Sequence, residues 1–170
     1  MILSNHFFKR PAPEVAPDLL GKFLVRERYG KNVSVIITET EAYHGLKDKA
    51  SHAARGLTMR NKIMFGPAGR WYVYFIYGSH WMLNISTGKV GEPSAVLLRG
   101  VIGYNGPGKL TKYLHIDNKL NSLTASKKSG LWIEDLKIIK LTPIKKGPRI
   151  GVDYAGPIWS KKPYRFWLDI

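Results

Sequence analysis

Trp71-Tyr-Val-Tyr-Phe-Ile-Tyr-Gly-Ser-His80 is the stretch that decides how this chain folds. Its first residues are aromatic or β-branched, types that fit a pleated, half-buried surface, so the run predicts a strand. Tyr77-Gly78-Ser79-His80 then reads as the turn into a second strand, Trp81 to Ser86. A turn tip is normally small and polar. A tyrosine there either tucks back to close the core or is held outward as a wedge. The chain carries 27 Lys and Arg against 12 Asp and Glu, a net charge of +15. Beside so basic a surface, an outward aromatic suggests a group that enters between stacked bases.

Outward from this hairpin, turn and strand signals recur. Lys22 to Tyr29 and Val33 to Tyr43 read as strands joined through Tyr29-Gly30-Lys31. Ahead of them, residues 6–21 hold Pro11, Pro13 and Pro17 and predict a loop with a short helix ending at Gly21. Between the two hairpins, residues 44–70 are polar, basic and aperiodic, and a loop that long in a compact domain usually serves function. Downstream, Gly88 to Pro93 reads as a loop and Ala95 to Ile102 as a buried strand. A helix opens at Gly106-Pro-Gly-Lys109, with Leu110, Tyr113 and Leu114 at helical spacing. Leu131 to Lys140 predicts one or two strands, and Pro163 to Leu168 a last one. With no linker, repeat or low-complexity segment, residues 1–170 are expected to form one compact α+β domain on a curved antiparallel sheet.

Composition narrows the functional classes. So large a basic excess is self-repelling unless a polyanion is a regular partner, nucleic acid ahead of an anionic membrane surface. The absence of cysteine excludes disulfides, thiolate zinc sites and cysteine nucleophiles. The histidines lack the paired i,i+4 arrangement of a helical metal site, so no metal is expected. Met1-Ile-Leu-Ser lacks the basic region of a signal peptide, and no run approaches the ~20 apolar residues of a membrane span. The expected location is cytoplasmic, without secretion or membrane attachment.

Chemistry concentrates in Val33 to Tyr43. Strand alternation puts Val35, Ile37, Glu39, Glu41 and Tyr43 on one side unless a bulge intervenes. Burying a carboxylate is costly unless it is paired. One or both glutamates therefore reach the sheet edge to meet Lys or Arg, or one is a general base with an aromatic neighbour. Two glutamates two residues apart lie ~7 Å from each other by strand rise, within the range of inverting glycosidases. The charge opposes a neutral glycan as substrate but not a glycosidic bond within nucleic acid.

Other positions carry paired readings. His52, beside Ser51 and the basic Arg55, Arg60 and Lys62, is either a structural hydrogen-bonding group or part of a nucleic-acid-facing loop. Asn84 interrupts an apolar strand; its amide bonds a neighbouring strand or reads a ligand's polar edge. Arg99 ends the apolar run from Ser94 and needs a carboxylate, for which Glu41 is a natural partner. Gly106-Pro-Gly-Lys109 offers outward backbone N–H groups beside a lysine, a candidate phosphate anchor.

Taken in order, these pieces resemble the alkyladenine (3-methyladenine) DNA glycosylase family over nearly the whole chain. The resemblance rests on Glu39-Thr-Glu-Ala-Tyr43 with His52, Arg60-Asn61, Met64-Phe65 and Tyr72-Val-Tyr-Phe-Ile-Tyr-Gly78. It continues through Met82-Leu-Asn-Ile-Ser86, Val96-Leu-Leu-Arg99, Gly106-Pro-Gly-Lys-Leu110, Arg149-Ile-Gly-Val152 and Ala155-Gly156. The segment from Gly100 to Gly106 is shorter than in the eukaryotic members, and the short form looks more like bacterial or archaeal ones.

The resemblance implies hydrolysis of the N-glycosidic bond to damaged purines flipped from double-stranded DNA, by a monomer without metal, cofactor or lyase step. It implies Glu41 as the base that activates water. Arg99 would hold that water and the carboxylate, and the Val152 carbonyl is a further contact. Tyr43 and Tyr74 would sandwich the base with His52 on the same wall, and Tyr72 would support it. Asn84 would sit beneath the base where the guanine amine would clash, and Tyr77 would be the wedge. Arg60 and Lys109 would contact DNA. Two other classes stay open: a non-catalytic binder of distorted nucleic acid, which releases no base, and a glycosidase of another polymer, which salt-sensitive duplex binding would oppose.

Overall fold

The computed structural model describes residues 1–136 and 143–170. Alternating side chains on neighbouring strands give it a sheet with two different faces. The aromatic run forms β3 (Trp71–Ile76), paired antiparallel with β4 (His80–Ser86) from Trp71↔Ile85 to Ile76↔His80. The upstream hairpin is β1 (Phe23–Arg28) and β2 (Lys31–His44). The buried run is β5 (Ser94–Val101), which joins the hairpins by pairing with both β4 and β2. Short β6 (Tyr104–Asn105) pairs with β5, and β7 (Leu131–Glu134) with β1. The strands β8 (Ile144–Gly147) and β9 (Arg165–Leu168) pair with each other, and β9 also lies along Glu39 to Glu41 of β2. The order β3-β4-β5-β2-β1-β7 is antiparallel throughout its described pairs, as an α+β chain with hairpin signals predicts. Of the expected strand from Leu131 to Lys140, residues 137–140 lie outside the described residues.

One face of this sheet is dry. Trp71, Val73, Leu83, Ile85, Val96 and Leu98 all point to it and form the main core with Ala12, Val15 and Ala16. Each fully buried Leu or Ile there contributes ~1.5–3 kcal/mol by leaving water. The intervening residues Tyr72, Tyr74, Met82, Asn84, Ala95, Leu97 and Arg99 point to the opposite face and line a cavity.

Two expectations change at the N-terminal end of the molecule. The proline-rich segment forms α1 (Asn5–Phe8) and α2 (Ala12–Asp18) rather than a loop with one helix. Pro11 precedes α2 and Pro13 sits in its first turn, where a missing N–H has no intrahelical partner to lose. The other change is in β2. Val35 and Ile37 pack toward the core, but so do Ala42 and Thr40, whose hydroxyl donates to the Ala16 carbonyl at 2.8 Å. The register shifts between Ile37 and Thr40, a bulge that inverts the alternation and sends Glu39, Glu41 and Tyr43 to the side opposite Ile37. Gly100 makes room for it: a Cβ there would lie 3.1 Å from Thr38 Oγ1 and 3.2 Å from Glu39 Cβ.

The long loop is ordered by its own polar groups. It holds a helical turn at His52–Arg55 and α3 (Lys62–Phe65). Buried Asn61 ties them, donating from Nδ2 to the carbonyls of His52 (3.1 Å) and Gly56 (2.8 Å) and accepting from Thr58 N–H at 2.7 Å. The expected helix is α4 (Pro107–Tyr113), packed on β4 and β5 through Leu110. The last helix, α5 (Gly156–Trp159), precedes β9. Among the described residues no helix is long and apolar enough to cross a membrane, and no cluster of three or more His, Asp or Glu gathers as a metal site would require.

Candidate active site

The cavity on the second face encloses about 340 Å³, and Glu41 lies in its wall with no exposed surface. Three polar contacts hold the carboxylate. The Ile150 backbone N–H donates to Oε1 at 2.8 Å, the Tyr43 hydroxyl donates to Oε2 at 2.8 Å, and Arg99 Nε lies 3.7 Å from Oε1. Burial pushes the carboxyl of Glu41 above its ordinary range; Arg99, the Ile150 N–H, Tyr43 and Arg149 pull it back. A carboxylate poised in this way can take a proton from water and face a developing positive charge.

Glu39 is in a different situation. Its Oε1 accepts from Arg99 Nε at 3.2 Å and from Arg165 Nε at 2.5 Å, and it borders a separate cleft beside Trp167 and Ile170. The two glutamates thus share a face but not their surroundings: Glu39, on a strand paired on both sides by β5 and β9, takes two arginines, and one of them, Arg99, also lies beside Glu41.

The cavity walls are aromatic. His52 and Tyr74 have ring centroids 4.7 Å apart, Tyr72 and Tyr74 5.1 Å, and Tyr43 lies on the Glu41 side. His52 Nδ1 is 2.9 Å from the Tyr72 hydroxyl, and its carbonyl accepts from Asn61. Burial, then the charges of Arg60 and Arg55, lower the His52 pKa, which favours a neutral ring at physiological pH. Tyr72 is pushed up to about 12 and Tyr74 higher still by burial, so both keep their protons. Asn84 is buried and donates to the Tyr72 carbonyl at 3.1 Å. Its amide is therefore fixed as part of the cavity floor.

At the mouth, Tyr77 borders the cavity and is 88% exposed on the β3–β4 tip. Arg60 lies over the Tyr74 ring, 4.9 Å from its centroid, and donates to the Phe75 carbonyl at 3.0 Å. Lys109 is exposed in the first turn of α4, whose Pro107 reaches the cavity. Gly108 lies against the His80 ring, where a Cβ would come within 2.8 Å of Cγ. Val152 lines the cavity, and its carbonyl accepts from Ala155 N–H at 2.9 Å.

Sequence reasoning gave no role to Ile150, Arg149, Asp48 or Tyr154. A backbone N–H such as that of Ile150 leaves no mark in a sequence. Asp48 does leave one: it is the lone acidic residue in the basic stretch 44–70. Arg149 joins it through a buried bidentate pair, and Tyr154, which also lines the cavity, donates to the Ala50 carbonyl at 2.8 Å.

Comparison with known proteins fits this chemistry. The chain is 42% identical to a protein of Methanocella arvoryzae over 98% of its own length and 92% of the relative's. It is 43% identical to one of Myxococcus xanthus, covering 98% and 89%, and 40% identical to one of Legionella pneumophila, covering 98% and 93%. All three carry the provisional name 3-methyladenine DNA glycosylase. Cavity and relatives agree on the class: the chain is a DNA glycosylase. Residues 6–104 and 103–170 match the family Methylpurine-DNA glycosylase (MPG), and the chain belongs to that family.

Proposed function

We propose that the enzyme flips an alkylated or deaminated purine out of duplex DNA into the Glu41 cavity and hydrolyses its N-glycosidic bond with water activated by Glu41. The observation that carries this reading is the buried Glu41 carboxylate, held by Arg99, Ile150 N–H and Tyr43 in a cavity walled by aromatic rings. A planar base stacks between Tyr43 and Tyr74, with His52 along the Tyr74 wall. Water bound by Glu41 and Arg99 loses its proton to Glu41 as its oxygen bonds to the sugar carbon. The purine leaves with the glycosidic electron pair, and the ionised carboxylate stabilises the oxocarbenium-like sugar between those events. Alkylation assists by placing positive charge on the leaving base. Tyr77 fills the space left in the duplex, and Asn84 excludes the exocyclic amine of guanine. Lys109 and Arg60 contact the DNA backbone.

The same enzyme is read as monofunctional, because among the described residues no lysine lines the cavity to form a Schiff base. It is further read as a monomer acting on DNA in the cytoplasm. Base release from duplex oligonucleotides, each bearing one defined lesion, tests the proposal. Free damaged base with an intact strand until alkali is added is the expected result. Release of no base from any lesion, or strand cleavage without alkali, overturns it.

A further inference from the structure

Arg149 and Asp48 are both fully buried at their side chains. Arg149 Nη1 and Nη2 donate to the two Asp48 oxygens at 2.6 and 2.9 Å. Asp48 also accepts from the backbone N–H groups of His44 and Ala50, so it organises the loop that leaves β2. A pair built only to hold a loop would end there.

Arg149 goes further, toward the reacting groups. Nη1 also donates to the carbonyl of Ala42, the residue between Glu41 and Tyr43, at 2.8 Å. The guanidinium carbon lies 4.7 Å from the centre of the Tyr43 ring, whose residue lines the cavity. The next residue, Ile150, supplies the N–H on Glu41 Oε1. Residues 41, 42 and 43 are thus each engaged by residues 149 and 150. Arg149 Nε is buried without an acceptor, so the guanidinium sits where these contacts put it rather than where every donor would be met.

We propose that Arg149, oriented by Asp48, is a positioning residue for base excision: it fixes Glu41 and Tyr43 from behind the cavity wall and supplies a second cation, besides Arg99, to the Glu41 carboxylate. This rests on Glu41 being the base that activates water. The groups facing Glu41 are Tyr43 on its own strand, Arg99 on β5, and Arg149 with the Ile150 N–H on the 149–152 segment. Tyr72, Tyr74, Asn84 and His52 share the cavity, while Arg165 on β9 is taken by Glu39. Removing the Arg149 charge withdraws one of the influences that favour ionised Glu41, so a higher pH is needed to ionise it.

The test is the pH profile of single-turnover base release from duplex DNA methylated with dimethyl sulfate, for the parent protein, Glu41→Gln, Arg149→Lys and the double variant Asp48→Asn/Arg149→Gln. Neutralising both partners avoids stranding one buried charge, and the paired amides keep hydrogen-bonding capacity, so the double variant is expected to fold. Its acid limb should move to higher pH, and its deficit relative to the parent should be up to about tenfold larger on the acid side than on the plateau. Arg149→Lys keeps the charge but loses the planar stack and the fork, so its limb should stay in place while its plateau falls. A double variant whose loss is equal at every pH overturns the inference. If the double variant does not fold, a parent-like plateau in Arg149→Lys overturns it instead. Parent-like release by Glu41→Gln would be a failure of the Glu41 reading itself, and the two failures are told apart by that variant alone.

Discussion

At the tip of the β1–β2 hairpin, Tyr29 and Gly30 have φ of 51° and 72°; at the tip of β3–β4, Tyr77 and Gly78 have 51° and 60°. Both glycines have open space where a Cβ would be, and both tyrosines stand out, 90% and 88% exposed. An aromatic in the left-handed region is strained at either tip, so strain does not mark the functional one. The surroundings differ. Tyr29 lies beneath its neighbour Arg28, 5.0 Å from the ring centre, and Gly30 N–H is tied to Glu27 at 2.9 Å. Tyr77 stands at the mouth of the cavity, which Tyr154 also lines. If Tyr77 is the wedge proposed above, one local device has two uses, and what the sheet brings beside each tip separates them. The proposed function also sits at opposite places in the two hairpins: at the far end of β2 from Tyr29, and both at the tip and along the strands of β3–β4.

The largest expected effect is at the Glu41 end of β2. Glu41→Gln keeps the shape but cannot accept the water's proton, and base release should fall on the order of 10²–10⁴-fold while lesion binding persists. The same change should raise the melting temperature at neutral pH. Burial raises the folded-state pKa of Glu41, so ionising it costs stability above that pKa, and the cost is relieved as pH falls through it. The gain from Gln should therefore shrink in melts taken at acid pH. A Gln variant with parent-like release would put the base elsewhere, and Glu39→Gln in parallel would say whether it lies at Glu39.

At the β3–β4 tip, Tyr77→Asn keeps a residue suited to the turn but removes the ring. Capture of a lesion from duplex should weaken by about tenfold, because flipping costs a few kcal/mol and the ring no longer blocks return. Release from single-stranded lesion DNA should change much less. An equal loss on both substrates would deny Tyr77 the wedge role.

A smaller effect is expected along β4. Asn84→Ser opens the floor, and release of undamaged guanine from duplex should rise roughly 5–10-fold above background. The lost bond to the Tyr72 carbonyl should cost ~1 kcal/mol in urea denaturation. Unchanged guanine release with an intact fold would make Asn84 purely structural.

The smallest effect sharpens the comparison most. Tyr29→Asn, the same substitution at the other tip, should leave excision from duplex unchanged and stability within roughly 0.5 kcal/mol of the parent. A loss of excision as large as that of Tyr77→Asn would mean that both tips engage DNA.

Much of this could be read from residue types and their spacing. Both hairpins, the buried β5 and the opening of α4 were legible, because turn residues and β-branched or aromatic runs act through local sterics. The prolines before β1 misled because proline is accepted in first turns, where Pro11 and Pro13 stand at the start of α2, and α2 also carries Pro17 in its last turn. Glu41, Tyr43, His52 and Asn84 could be picked out as chemistry-bearing types in unusual positions, Tyr74 came only with the family resemblance, and the cavity holds all five.

What the chain by itself determined was the two hairpins, the buried β5 and the presence of two glutamates in a β-branched strand; β6 and β8 left no such mark. Only the tertiary structure decided which glutamate faces the cavity and which tyrosine stands at its mouth. The β2 bulge inverts the alternation, Arg165 of the neighbouring β9 pairs with Glu39, and residues 149–152, more than a hundred positions downstream, close over Glu41. Strand character is a local preference of each residue, whereas the desolvation and pairing of a carboxylate depend on every element that packs against it.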